Sequence, residues 1–193
     1  GSPTDLNAHP HISANGTLAI VHNGIIENYS ELRDELIEAG FVFVSDTDTE
    51  VVAHLLSREM EKDNKILDAI VRVAKQIKGA YALGIVSQNH PDKIYAVNHH
   101  YSLTVGCGEN ESFLASDSTA VRQYTNKILR LGHSEIAEIS QNSVRLFDFN
   151  GKVVKRKPVS IDSDPYKIDK AGFKHFLLKE IHEQPLVLRQ TLS

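Results

Sequence analysis

Asn23 and Gly24 follow a short apolar run, Leu18–Val21, in the stretch that carries most of the chain's candidate chemistry. Asn-Gly usually marks a tight turn, so a plain hairpin is the first interpretation. The next residues, Ile25 and Ile26, are apolar, so this turn is not simply solvated surface. An Asn side-chain amide and a Gly backbone N–H held at a strand end can both donate to one oxygen, which is the arrangement of an oxyanion hole.

Asp48 lies farther along, in Ser45-Asp46-Thr47-Asp48-Thr49-Glu50, just before a helical pattern. A residue in that place typically caps the helix N-terminus. A carboxylate at a strand-to-helix junction can also face a cleft and bind an ammonium group. The segment therefore predicts a helix cap and a candidate ammonium site in one residue.

Ten histidines make metal binding worth considering. His9 and His11 form a His-x-His pair, but Pro10 separates them and no acidic or Cys partner is near, so a loop packed beside a site is preferred. We therefore expect no metal and no cofactor. A metal-binding β-protein stays open as an alternative, and its candidate ligands would be His9, His11, His22, His99 and His100.

Composition limits the classes of function. The 193 residues suffice for one large domain or two small ones, and 41% hydrophobic with 24% charged residues is typical of a globular protein. A net charge of −4 gives no basic field for nucleic acid or anionic lipid, and no apolar run approaches the ~20 residues of a membrane span. The single cysteine, Cys107, suits a reducing cytoplasm and is interpreted as a structural thiol.

The elements that must position these residues follow from hydrophobic periodicity. A helix over Tyr29–Ala39 is expected to bury Leu32, Leu36 and Ile37, and His54 is expected to pack inside the helix that Asp48 begins. The remaining predicted elements of this half are strands at Leu18–Val21 and Phe41–Val44 and a helix at Ile66–Ile77.

From Ala80 the period changes to that of strands. The candidate strands are Ala80–Ser87, Lys93–Val97, Leu103–Gly106, Phe113–Ala115, Ile128–Leu131, Ile136–Ile139 and Val144–Phe147. Three further predictions are a short helix at Asp117–Gln123, a surface loop at Asp162–Asp169 and an amphipathic helix from Phe173 that halts near Pro185.

Several of these segments occur in the same order in a known family. They are His22-Asn23-Gly24-Ile25-Ile26-Glu27-Asn28, Ser45–Glu50, Gly79–Ala82, Ala115–Asp117 and Lys179–Pro185. The sequence resembles the glutaminase domain of the class II glutamine amidotransferases. The Asn7–His11 and Lys179–Pro185 segments point, within that family, to the isomerising glutamine–fructose-6-phosphate aminotransferases, or glucosamine-6-phosphate synthases.

The resemblance implies an α+β fold of the N-terminal-nucleophile hydrolase type, an αββα sandwich of two mainly antiparallel sheets between helical layers. Residues 1–185 would be the glutaminase domain, and 186–193 would start a linker to a sugar isomerase domain. The implied activity is hydrolysis of L-glutamine to supply ammonia for conversion of fructose 6-phosphate to glucosamine 6-phosphate, the first step toward UDP-N-acetylglucosamine. The implied protein is cytoplasmic and homo-oligomeric at full length.

The resemblance also implies residue roles. Asn23, through its side-chain amide, and Gly24, through its backbone N–H, would stabilise the tetrahedral oxyanion. Asp48 would bind the glutamine α-ammonium, and His9 would line the glutamine pocket. In the family the nucleophile is an N-terminal cysteine whose own α-amino group acts as base, and a thioester forms and is hydrolysed.

Two departures from the family pattern stand out. The family's N-terminal portion, with the Cys nucleophile and the Arg and Thr-His segment that holds the glutamine carboxylate, is not in this sequence, so the polypeptide by itself is expected to be inactive. Cys107 is internal and cannot substitute for that nucleophile. The family's Arg-x-Gly-Ser-Pro-Leu reads Asn98-His99-His100-Tyr101-Ser102-Leu103 here, which puts any contact of that Arg in doubt.

Two alternatives of function remain besides the metal-binding β-protein. The same glutaminase reaction can serve another acceptor, as in the amidophosphoribosyltransferases, although the Lys179–Pro185 segment argues against this. A non-catalytic scaffold or regulatory domain is the second, since the nucleophile is not in this sequence.

Overall fold

The computed structural model describes residues 2–161 and 172–191. It divides into two compact units, Gly1–Ser160 and Ile161–Ser193, which are considered separately. The predicted surface loop Asp162–Asp169 lies outside the described residues. In the described part of the chain, no helix is both long and apolar enough to cross a membrane.

The larger sheet of the first unit has seven antiparallel strands in the order β1-β2-β3-β4-β8-β9-β10, numbered along the chain. Their bounds are β1 His11–Ile12, β2 Leu18–Gly24, β3 Tyr81–Ser87, β4 His90–His99, β8 Glu135–Ser140, β9 Ser143–Asp148 and β10 Val153–Val154.

The smaller sheet has four antiparallel strands in the order β11-β7-β5-β6. Their bounds are β5 Thr104–Cys107, β6 Ser112–Ala115, β7 Lys127–Arg130 and β11 Val159–Ser160. The seven strands predicted from Ala80 onward are confirmed as β3 to β9. The two-residue strands β1, β10 and β11 were not predicted, because so short a run carries no periodicity.

Three helices pack on one face of the larger sheet. They are α1 Tyr29–Glu38, α2 Asp48–Asp63 and α3 Ile66–Ala74. Leu36 of α1, Leu55 of α2 and Ile70 of α3 are buried in one core with Ile20 and Leu83 of the sheet. The helical pattern of residues 66–77 ends earlier than predicted, at Ala74, although Ile77 is still buried.

The other face of the larger sheet packs against the smaller sheet. Side chains alternate between the faces of a strand, so Leu83 of β3 lies in the helical core while its neighbour Ala82 lies between the sheets with Val105 and Leu129. The two cores join three layers: the helices, the larger sheet and the smaller sheet. This arrangement confirms the predicted α+β class with two antiparallel sheets.

Helix α1 buries a narrower stripe than predicted. Leu32 and Leu36 are buried, but Ile37 is 50% exposed, so its assignment to the core is wrong.

The helix predicted at Asp117–Gln123 is shorter in the structure. Only Ser118–Ala120 is helical, as a single 3-10 turn. The Asp117 carboxylate caps this turn by accepting the Thr119 N–H at 2.7 Å.

The predicted strand at Phe41–Val44 is wrong. No strand pairs with this segment in the described part of the chain, so its apolar alternation serves packing alone. Phe41 and Phe43 pack on the buried ring of His54, with ring centroids 5.4 and 4.7 Å away, and burial lowers the pKa of His54 despite the nearby Glu50. This confirms His54 as a packed histidine.

Hydrogen bonds to Glu50, not to a neighbouring strand, hold the end of the Phe41–Val44 segment. Its buried carboxylate accepts hydrogen bonds from the backbone N–H groups of Val44 and Ser45, at 2.9 and 2.7 Å, and from the Ser45 hydroxyl at 2.6 Å. Burial raises the pKa of Glu50, but these hydrogen bonds outweigh it and hold the pKa below the ordinary glutamate value.

Glu50→Gln is expected to lower the free energy of unfolding of the 193-residue chain by about 1.5–3 kcal/mol, because the amide NH₂ of Gln faces a donor and leaves a backbone N–H unpaired. A group with a depressed pKa stabilises the fold above its unfolded pKa, and that contribution fades as pH falls through the folded value. Urea unfolding should therefore give a difference that shrinks below about pH 4. Glu61→Gln, at an exposed position of α2, is the control and should change little.

The second unit contains α4, Phe176–Thr191. The ring of Phe173, just before it, stacks on His182 at 5.2 Å. The helix continues through Pro185, so the prediction that it halts there is wrong. Proline removes one i to i−4 hydrogen bond, and the helix formers on both sides carry the helix past it. The domain boundary at 185/186 stays a prediction.

Candidate active site

The turn that ends β2 leaves the backbone N–H of Gly24 on the side of the strand away from β3. The N–H of Ile25 donates to the carbonyl of Ala80 at 3.0 Å. The register of β2 and β3 continues from the bond between the Gln88 N–H and the Thr17 carbonyl, so odd-numbered residues of β2 direct their N–H groups to β3, and the N–H of Gly24 points to the opposite side. On that side β1 reaches only as far as Ile20. The Asn23 side chain is exposed at the same strand end, so two donors are available there.

Gly24 has a conformation that requires glycine. Its φ of +119° lies outside the range that side chains favour, and a Cβ atom would stand 2.1 Å from the carbonyl oxygen of Ala80. Ile26, two residues on, is fully buried and anchors the turn in the helical core. The backbone of the turn is thus fixed by close packing on both sides.

Asn28 ties the other end of the turn to the segment before β3. Its side chain donates to the Gln76 carbonyl at 2.9 Å and accepts the Lys78 N–H at 2.8 Å, while the Glu27 N–H donates to the Lys78 carbonyl. It is the N-cap residue of α1, but its side chain makes no cap hydrogen bond. The Asn28 side-chain amide instead fixes the end of the turn to residues 76 and 78.

Asp48 is tied to the same turn. The predicted cap role is wrong: Thr47 is the N-cap residue of α2 and Asp48 its first residue. The Asp48 Oδ2 instead accepts the backbone N–H of Ile26 at 2.8 Å, and Oδ1 lies 3.7 Å from His22 Nδ1. The side chain remains 23% exposed, so a carboxylate is offered at the turn that follows Gly24.

Asp48 is held in its charged form. Burial raises the pKa of Asp48, but the neighbouring His22 and the hydrogen bond from the Ile26 N–H outweigh it and keep the pKa below the ordinary aspartate value. An anionic carboxylate with one oxygen committed to the backbone has a fixed position. It is therefore suited to bind a cation such as an ammonium group.

His9 reaches the same place from the N-terminal side. Its Nε2 lies 3.3 Å from the hydroxyl of Thr49, next to Asp48. Partial burial, and then the neighbouring His11 and His22, lower the pKa of His9, and Asp48 opposes this only in part. The structure thus brings all four predicted site residues to one end of β2 and the first turn of α2.

Thr49 was not predicted as a site residue, and His22 was named only as a candidate metal ligand. The buried His22 Nδ1 lies 3.0 Å from the Thr49 hydroxyl, which therefore contacts both His22 and His9. The available signal was the period of β2, which places His22 on the same face as the buried Leu18 and Ile20. A histidine on the buried face of a strand, next to an exposed Asn-Gly turn, is the sequence pattern that indicates His22.

His11 makes a separate, parallel contact. Its Nε2 lies 3.1 Å from the hydroxyl of Thr47, and the His9 and His11 rings meet edge to face at 5.5 Å. Within residues 2–161 and 172–191, no three His, Cys, Asp or Glu side chains are grouped so that they could hold a metal ion.

Asn98, where the family pattern has Arg, supports the same end of the sheet. It lies in register with Ala82, which is in register with Asn23. The buried Asn98 side chain donates to the carbonyls of Leu131 and Gly132, at 3.2 and 2.9 Å, and so closes the loop between β7 and β8.

Cys107 lies away from this site, at the end of β5. Burial raises the pKa of its thiol, and Lys127 opposes the shift. A raised pKa disfavours the thiolate, which is the nucleophilic form. The structural role predicted for Cys107 therefore remains the better interpretation.

The sequence is similar to a protein family and to curated relatives along its length. Residues 3–123 match the family described as glutamine amidotransferase domain. The chain is 44% identical over 193 residues to the glutamine–fructose-6-phosphate aminotransferase (isomerizing) of Aquifex aeolicus and 45% identical to that of Pseudomonas aeruginosa. The whole chain is covered, but only 32% and 31% of these relatives, so it spans about a third of their length.

Two solved structures with a similar fold are an amidotransferase and an enzyme of purine biosynthesis. A glutamine phosphoribosylpyrophosphate amidotransferase from B. subtilis superposes with a TM-score of 0.63 at 24% identity, covering 76% of this chain and 33% of the other. The allosteric regulatory enzyme of purine biosynthesis gives 0.64 at 26%, covering 74% and 31%. With the family match over more than half of its residues, the chain belongs to the glutamine amidotransferase domain family.

Proposed function

We propose that this chain is the glutamine-binding and oxyanion-stabilising part of a glutaminase that supplies ammonia for conversion of fructose 6-phosphate to glucosamine 6-phosphate. The observation that carries the proposal is the Asp48 carboxylate, anionic and tied through the Ile26 N–H to the turn that presents Asn23 and Gly24. The acceptor follows from the 44% identity to an isomerising aminotransferase over the whole chain.

The proposed reaction begins with glutamine held by its α-ammonium on Asp48. A thiolate attacks the carboxamide carbon, and the negative charge that develops on the carboxamide oxygen is stabilised by the Asn23 amide and the Gly24 N–H. The base that took the thiol proton, in the family the cysteine's own α-amino group, gives it to the amide nitrogen, and ammonia leaves. Water then hydrolyses the resulting thioester to glutamate. The resemblance assigns the thiolate to an N-terminal cysteine, which is not among residues 1–193.

The pathway and compartment belong to the same proposal. Glucosamine 6-phosphate would enter hexosamine and UDP-N-acetylglucosamine synthesis, and a single cysteine fits a reducing cytoplasm. The second candidate, supply of ammonia to phosphoribosyl pyrophosphate, rests on the fold similarity to the B. subtilis enzyme at 24% identity. The much higher identity to the aminotransferases favours fructose 6-phosphate.

Two chimeric enzymes test this choice. In the first, hereafter the chimera, this chain replaces the aligned segment of the Aquifex aeolicus aminotransferase; in the second it replaces that of the B. subtilis amidotransferase. We expect only the chimera to transfer nitrogen from [amide-¹⁵N]glutamine to its acceptor. Activity with added ammonium shows whether each acceptor domain is folded. Glutamine-dependent activity of the second enzyme alone would refute the fructose 6-phosphate assignment.

Asp48→Asn in the chimera should weaken glutamine binding about ten- to a hundredfold, because a hydrogen bond to a charged group contributes about 1.5–3 kcal/mol. The Asn carbonyl oxygen can still accept the Ile26 N–H, so stability should be nearly unchanged. The measurements are the KM for glutamine and the thermal unfolding midpoint. Asp46→Asn, two residues before, is the matched control. Normal glutamine affinity with reduced stability would make Asp48 purely structural.

A further inference from the structure

Thr49 joins two histidines through one hydroxyl. Its oxygen lies 3.0 Å from His22 Nδ1 and 3.3 Å from His9 Nε2. The hydroxyl has a single proton, so it can donate to one ring nitrogen and must accept from the other. Thr49 and His22 are both buried, which leaves few other arrangements for this chain of hydrogen bonds.

Asp48 sets the direction of the hydrogen bonds that join His22, Thr49 and His9. Its Oδ1 lies 3.7 Å from the same Nδ1 of His22, and its carboxylate is charged. A lone pair on His22 Nδ1 would face that negative charge, whereas an N–H there is attracted to it. The remaining nitrogen, His22 Nε2, is buried without a hydrogen-bond partner in the described part of the chain, which is less costly for an acceptor than for an N–H.

We propose that Thr49 and His22 are positioning residues that fix His9 as the tautomer protonated on Nδ1. His22 Nδ1–H donates to the Thr49 oxygen, and the Thr49 hydroxyl donates to His9 Nε2. The exposed His9 ring then offers an N–H donor, on Nδ1, to an oxygen of a bound molecule. If the proposed function holds, on which this last step rests, that oxygen belongs to glutamine.

Tautomers are read directly from imidazole ¹⁵N shifts in long-range ¹H–¹⁵N spectra of the 193-residue chain, at about one pH unit above the ordinary histidine pKa of about 6.5. We expect His9 protonated on Nδ1 and unprotonated on Nε2, and His22 likewise. Thr49→Ser should keep both patterns. Thr49→Val, which is isosteric but has no hydroxyl, should let His9 relax to the exchanging mixture of an exposed histidine.

Thr47→Val is the matched control, because it removes the equivalent hydroxyl contact to His11 and should leave the His9 spectrum unchanged. A wild-type His9 protonated on Nε2 would overturn the proposal, and so would a Thr49→Val spectrum identical to wild type. Should Thr49→Val fail to fold, the wild-type and Thr49→Ser spectra still decide the tautomer.

The chimera gives a separate functional readout. Thr49→Val should raise the KM for glutamine about three- to tenfold, the effect of one neutral hydrogen bond, with little change in the turnover number. Thr49→Ser should restore the wild-type KM, and activity with ammonium should not change. An inactive wild-type chimera would count against the proposed function, whereas the tautomer spectra test Thr49 independently of it. An unchanged KM in Thr49→Val would overturn the step from His9 to glutamine.

Discussion

Asn23→Ala in the chimera should lower the glutamine-dependent turnover number about a hundred- to a thousandfold, the usual effect of removing one oxyanion-hole donor. The KM for glutamine should change little, because this donor acts on charge that develops only in the transition state. Activity with added ammonium, which bypasses the site, should survive. Steady-state kinetics with each nitrogen donor measure both effects.

Asn15→Ala provides the matched control for that experiment. Asn15 also lies in a turn, where its carbonyl oxygen accepts hydrogen bonds from the Ser13 hydroxyl and from the N–H and hydroxyl of Thr17. Its removal should lower stability modestly and leave turnover alone. If Asn23 were only a hairpin residue, Asn23→Ala would behave in the same way, and an unchanged turnover number would end its assignment to the oxyanion hole.

Gly24→Ala should lower the free energy of unfolding of the 193-residue chain by about 2–5 kcal/mol. The new Cβ would stand 2.1 Å from the Ala80 carbonyl oxygen at a φ of +119°. A side chain in such a backbone region costs about 1–2 kcal/mol, and overpacking typically adds about 1–3 kcal/mol. Because the turn must move, glutamine-dependent activity of the chimera should be lost as well.

Gly16→Ala separates the two causes. Gly16 has a φ of +72°, but no atom lies within 4 Å of the Cβ position, so only the conformational cost applies. Urea unfolding should give about 1–2 kcal/mol for this variant. A Gly24→Ala chain as stable as Gly16→Ala would contradict the close approach between β2 and β3.

Hydrophobic periodicity was sufficient to predict the elements whose formation depends on their own residues. The strands after Ala80 and helix α1 form where they were predicted, because their apolar side chains meet the two cores, as Leu83 and Ala82 of β3 do on opposite faces. Phe41–Val44 has the same alternation but no partner strand, and the carboxylate that holds it, on Glu50, belongs to the next helix. A sequence pattern cannot distinguish a strand from an extended segment held by a side chain.

The candidate site was predicted in part. Asn23, Gly24, Asp48 and His9 were identified from residue types together with the family resemblance. The partner of Asp48 was not, because an acidic residue before a helix normally bonds to its own first turn, whereas here Ile26 lies 22 residues away. Thr49 was missed for the same reason, since both of its histidine contacts join distant parts of the chain.

The most direct test of the central claim is a crystal structure of the chimera with a glutamine analogue whose electrophilic carbonyl replaces the carboxamide and traps the tetrahedral state. The account predicts that the analogue's oxyanion lies about 2.7–3.1 Å from both Asn23 Nδ2 and the Gly24 backbone nitrogen. It also predicts that the α-ammonium bonds to the Asp48 carboxylate. An oxyanion bound by other donors, with the Asn23 amide turned away, would contradict the account.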